Sequence, residues 1–186
     1  ATILMDLYDW YKKNEKWDTA LNILKLIVEY DERNPALRKE FLECYSKIYS
    51  GHSMFDECVR LSTLTQSYRS LHETIPDFEK RIAFDRGNYV FHRTWNIGRI
   101  SNITNDEVVI DFAKSRNHHM SLKMAFDSLI TLSKDHIWVL KATWPRDKLR
   151  EKVKTDPAWT IKIIIKSFDN RADMKRIKAE LVPSIL

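Results

Sequence analysis

The spacing of apolar residues changes twice along this chain, and that change constrains its fold more than any other feature. Up to residue 83 the apolar side chains recur three and four apart, as on one face of a helix. Leu4, Leu7, Tyr8 and Tyr11 form one such set, and Ala20, Leu24, Ile27 and Val28 the next. At Phe84 the pattern gives way to short β-rich runs: Tyr89-Val90-Phe91-His92, then Ile97, Arg99, Ile100 and Ile103, then Val108, Val109, Ile110 and Phe112. A glycine-containing turn and Asn105-Asp106 separate them, and Met120 to Lys123 would add a fourth strand. From Asp135 the helical spacing returns, punctuated by Pro145, Pro157 and Asn170.

The helical part reads as αα-hairpins. Asp18 is placed to cap the second helix and Asn34 the third, with Pro35 in its first turn; Leu42, Tyr45 and Tyr49 share a face, Gly51 ends that helix, and Ser53 starts the next. After Ile75-Pro76 a short helix runs through Phe78 and Ile82. Ala20 and Cys58 are then equivalent positions, 38 residues apart. Leu7, Tyr11, Ala20 and Leu24 give the first unit a loose likeness to tetratricopeptide repeats, whose usual length is about 34. The expected fold class is α+β in three parts: 1–83 of tetratricopeptide-like αα-hairpins, 84–142 a small antiparallel β-barrel of SH3 or Tudor type, and 143–186 a basic helical segment. Four or five strands are expected within 84–132.

Composition narrows the function classes. Three glycines, at 51, 87 and 98, cannot supply a P-loop or a dinucleotide fingerprint, which bring backbone amides to phosphate through closely spaced glycines. Neither a Gly-x-Ser-x-Gly elbow nor a His-Glu-x-x-His motif is present. Cys44 and Cys58 have no second pair with which to build a zinc site, and read as buried thiols. His118 and His119 could join His92 around a metal, but neighbours on a strand point to opposite faces. The expectation is a protein that is not an enzyme, with no catalytic residue, no metal and no cofactor. Without an apolar run long enough to span a bilayer, and with Asp6 and Asp9 near its start, it reads as cytoplasmic with no membrane partner. The start at Ala1 and the end just past a helical pattern read as those of an excised fragment.

Net charge is +5, and residues 143–186, with 11 Lys/Arg against 6 Asp/Glu, hold the whole excess. Such a tail suits a polyanion or an acidic protein surface, and equally a helix with a solvated basic face.

The run Phe84-Asp85-Arg86-Gly87-Asn88-Tyr89-Val90-Phe91-His92-Arg93-Thr94-Trp95-Asn96-Ile97-Gly98-Arg99-Ile100 resembles the opening of the RNA polymerase-interaction domain shared by CarD-type regulators and transcription-repair coupling factors. Gly87, Tyr89, Val90, His92, Ile97, Gly98 and Arg99 match; Asn88 replaces the usual acid and Asn96 the first glycine of the turn. A similar pattern opens the Tudor-like tails of UvrD-type helicases. Together with His119 to Ala125 and the tail through Pro183, the chain is similar to the long N-terminal extension of GreA-type elongation factors of spirochaetes and chlamydiae. The resemblance implies a docking module of a bacterial elongation factor, with RNA polymerase, its β subunit in particular, as partner; the uneven charge adds an expectation of weak nonspecific DNA contact.

On the residues alone, Tyr89 and Ile100 are expected to alternate inward, while His92, Arg93, Trp95 and Arg99 gather near the rim as partner-binding residues, joined by Lys123. The plainer roles are a half-buried core position for Trp95, a solvated strand position for Arg99 and a hydrogen-bonded structural role for His92. Trp138, Trp144 and Trp159 are expected to pack the last helices on the sheet. Two other functions remain open: a Tudor-like nucleic-acid-binding module, and a helical-repeat scaffold.

Overall fold

The computed structural model describes residues 2–32, 34–182 and 185, which fall into two compact units, Ala1–Asp85 and Arg86–Leu186. Pro183, part of the C-terminal resemblance, lies outside the described residues.

In the first unit, α1 (Thr2–Lys13) packs on α2 (Trp17–Val28), α2 on α3 (Pro35–Ile48), and α4 (Phe55–Ser62) on α5 (Leu71–Ile82). Tyr8, Leu24, Phe41, Tyr45, Leu64 and Phe78 are fully buried, and the Tyr45 and Phe78 rings lie 4.4 Å apart. The buried tyrosines need partners for their hydroxyls. Tyr8 donates to Glu40, which with Glu43 also holds Lys12, at 2.7 and 2.6 Å; Tyr45 donates to Glu79 at 2.9 Å. Burial, reinforced by those carboxylates, pushes both phenol pKa values up and keeps the hydroxyls as donors.

The expected cap at Asn34 forms, its side chain accepting from Ala36 N at 3.0 Å with Pro35 following, and Gly51 takes the left-handed conformation. Other local expectations shift. Asp18 lies in the first turn of α2 rather than at its cap, and α4 starts at Phe55 rather than Ser53. The buried face of α3 is Leu37, Phe41, Cys44 and Tyr45, a quarter turn from the expected Leu42 set, and Leu7 is exposed. Ser70 caps α5 through His72 N, so that helix runs through Pro76 instead of starting after it. Cys44 and Cys58 are buried free thiols, burial raising the Cys58 pKa to about 11.

The second unit opens with the sheet. Its strands are β1 (Tyr89–His92), β2 (Asn96–Ile103), β3 (Glu107–Phe112), β4 (Ser115–Ser121) and, after α6 (Leu122–Ser128), β5 (Ile130–Leu132). All pair antiparallel in the order β4-β3-β2-β1-β5, with bulges between Ile100 and Asn102 and between Ile110 and Phe112. The sheet is open rather than a closed barrel, because β4 and β5 end it without pairing to each other. The strand expected at Met120–Lys123 lies earlier, and Lys123 belongs to α6, since the Ser121 hydroxyl accepts from Met124 N and turns the chain into a helix.

Val90, Gly98, Ile100, Ile110 and Phe112 register on one buried face. Tyr89 pairs with Arg99 on the other face and is half-buried, so Val90, not Tyr89, is the inward residue of β1. Helices α7 (Ile137–Thr143), α8 (Arg146–Thr155), α9 (Pro157–Ser167) and α10 (Met174–Leu181) complete the unit around Ile137, Leu140, Leu149, Ile164 and Ile177. Among the described residues no helix is long and apolar enough to cross a membrane.

Candidate functional site

The turn between β1 and β2 is built from its residues outward. His92 pairs with Asn96 across a three-residue loop, and Asn96 closes it at a φ of +61°, a conformation asparagine tolerates better than other side-chain-bearing residues. Imidazole Nδ1 of His92 accepts from Thr94 N at 3.1 Å and so fixes the loop's first half. Trp95 then folds back over the end of the buried face. Its ring lies 4.2 Å from His92, 4.0 Å from His118 and 5.5 Å from Phe112, centroid to centroid.

The structure therefore brings His92 and Trp95 together and leaves Arg93 exposed beside them in the loop. It does not add the other two residues to that cluster. Arg99 is exposed on the opposite face of β2, its Nε donating to the Gly87 carbonyl at 3.4 Å. Lys123 is exposed on α6 at the far end of the sheet, where Leu122 N donates to Asp106 O. Spacing in sequence did not reveal His118 as the second imidazole against Trp95; it arrives through the pairing of β4 with β3. His119 points the other way, 3.2 Å from Glu107.

The strand-turn-strand carrying the resemblance also lies inside the sheet, since β3 flanks β2 and β5 flanks β1. Most of its backbone is already paired, so among the described residues the outer strand edges are those of β4 and β5, and the turn offers side chains.

A second constellation ties sheet to helices. Trp138 packs on Phe91 at 4.9 Å, and its Nε1 donates to Glu180 at 3.2 Å. Lys141 reaches the same carboxylate at 2.6 Å, and Arg176, 3.5 Å from it, lies over the Phe168 ring at 4.1 Å. His136 caps α7, accepting from Trp138 N at 3.1 Å, and burial pushes its pKa down against the hydrogen bond with the Ser167 backbone. Trp138 thus packs helix on sheet as expected, whereas Trp144 and Trp159 pack on each other, 6.0 Å apart with planes at 16°. Lys148 lies at the Trp144 ring and Lys152 at the Trp159 ring; α8 and α9 also expose Arg146, Lys154 and Lys162, and α10 exposes Lys175 and Lys178.

The GRAD helix-turn-helix domain family matches residues 138–186, the stretch holding α7 to α10. The whole chain is 50% identical to the putative GreA-associated domains protein of Treponema pallidum. Over 97% of its length it is 34% identical to the transcription elongation factor GreA of Borreliella burgdorferi. It spans 28% and 20% of the lengths of these two relatives. No solved structure matches it significantly.

Proposed function

We propose that this chain is a docking segment, not itself an enzyme, of a transcription elongation factor, and that it engages RNA polymerase, through the β subunit, by the sheet of its second unit. The observation that carries the reading is similarity along essentially the whole chain to two much longer proteins named for GreA. A segment with a formed sheet and an exposed turn, occupying about a quarter of such proteins, suits a recruiting part whose active part lies elsewhere. The tetratricopeptide-like helices of the first unit would serve as a packing platform.

Arg93 at the loop and Arg99 on the opposite face are the exposed anchors of the docking surface; Trp95, held between two imidazoles, shapes the turn that presents Arg93. Pulldown of polymerase with the intact chain tests this. Arg93→Ala or Arg99→Ala is expected to weaken capture by on the order of 1–3 kcal/mol with the melting temperature unchanged. Unaltered capture by both variants would remove the sheet from the docking surface. A second reading, nucleic-acid contact by the same unit, is favoured by the helix-turn-helix match and by 19 Lys/Arg against 11 Asp/Glu in residues 86–186.

A further inference from the structure

We infer that the second unit carries a surface for single-stranded nucleic acid, built from the parallel tryptophans Trp144 and Trp159 and the lysines Lys148, Lys152 and Lys162. This rests on the nucleic-acid reading above and deepens it by naming the surface and the kind of strand it takes.

Two tight corners create the pair. Trp144 caps the end of α7 just before Pro145, and Trp159 lies in the first turn of α9, where Asp156 accepts from its backbone N–H at 3.0 Å. Both tryptophans pack against the helical core and remain half-buried. Their near-parallel planes give one stacking direction to two aromatic surfaces.

A lysine lies over each ring. Lys148 Nζ is 4.6 Å from the Trp144 ring centre and Lys152 Nζ is 5.2 Å from that of Trp159. Four residues apart on α8, these lysines share a face from which Asp147 is turned by about 100°. Glu151 stands on the flank of that face, and Asp156 is already held by Lys152 at 2.8 Å. Lys162 is exposed roughly one turn beyond Trp159.

Flat aromatic surface interleaved with ammonium groups is what an unpaired strand requires, because any base can stack on an indole and each intervening phosphate needs a nearby cation. Lysine held over an exposed ring is weakly bound. An arriving base can therefore displace its stem while the ammonium moves to phosphate. A duplex keeps its base faces inside its own stack and gains nothing from the indoles; the exposed Lys175 and Lys178 of α10 would suit it better. An acidic protein surface would use the lysines without the rings.

Fluorescence anisotropy on the intact chain separates these ligands, using labelled oligothymidylate about 15 nucleotides long and a duplex of equal length. The strand is expected to bind more tightly than the duplex, with affinity falling as salt rises. Lys148→Ala should weaken binding and lower the salt slope by about one, while Lys175→Ala leaves it unchanged. Trp159→Ala should lose roughly tenfold and Trp159→Phe, which keeps a stacking ring and most of the packing, should retain most of the affinity. Circular dichroism checks that each variant is folded. Preference for the duplex, with Lys175→Ala as the damaging change, overturns the inference and leaves the nucleic-acid reading standing. Binding to neither oligonucleotide at low salt removes both. Competition by polyglutamate as effective as by the strand, with Trp159→Phe and folded Trp159→Ala alike, overturns it in favour of an acidic protein surface.

Discussion

Gly98 shows how much a single position can decide. A Cβ built on it would stand 2.6 Å from Ile110 Cγ2 and from the Phe112 ring, well inside van der Waals contact, so two core side chains on β3 occupy the space a side chain would need. Gly98→Ala is expected to cost about 1–3 kcal/mol through forced repacking, read as a lowered urea midpoint with unchanged slope. An unshifted midpoint would mean that the two strands separate more easily than their packing suggests. Asn96 is the complementary case. Its φ of +61° lies where glycine is most at ease, and asparagine serves there because it tolerates that conformation better than other side chains. The partners of Trp95 were legible only in half: His92 is three residues away, whereas His118 reaches the ring through pairing of β4 to β3, which no local pattern encodes.

Among the elements, α10 is tied to its neighbours by a carboxylate as well as by Ile177 in the core. Glu180, with a side chain only 9% exposed, accepts from the Trp138 indole and pairs with Lys141 and Arg176, so it joins α10 to α7 and, through Phe91, to β1. Removing it strands a partly buried ammonium and an indole N–H. Glu180→Ala is therefore expected to lower stability by about 3 kcal/mol, and Glu180→Gln by less because the amide oxygen still accepts from Trp138. Equal melting of Glu180→Ala and the parent in thermal denaturation would show that hydrophobic packing alone holds α10. Element type was legible wherever the apolar period was long, as in α2 or β3, because burial of one face imposes it. Boundaries were less so. Hydroxyls at Ser70 and Ser121 set where α5 and α6 begin, and such short-range capping outweighs both the helix-breaking tendency of Pro76 and the β-like composition of Met120 to Lys123. The ladder order also lay beyond reach, since β5 joins β1 across some forty residues of intervening chain.

Over the whole molecule the charge is divided: residues 1–85 hold 12 Lys/Arg against 15 Asp/Glu, and 86–186 hold 19 against 11. Acid acts on stability in part through His136, whose pKa burial lowers. Its native pKa lies below the ordinary 6.5, so the unfolded chain takes up the proton first. The contribution is complete above 6.5 and is lost as pH falls from there towards the depressed native value, at no more than about 1.4 kcal/mol per pH unit. Denaturant titrations across that window should show His136→Asn, which can still cap α7, with a shallower slope than the parent; identical slopes would assign the dependence to other groups.

The interior position of β1, β2 and β3 has a consequence in time rather than in space. Amides flanked by neighbours on both sides open only when the sheet itself parts, whereas outward-facing amides of β4 and β5 can meet solvent through small local fluctuations. Deuterium entering the native protein would therefore reach Tyr89–Phe91, Gly98, Arg99 and Val108–Ile110, residues paired on both sides, later than β4 and β5, making these central rungs the slowest clock in the sheet.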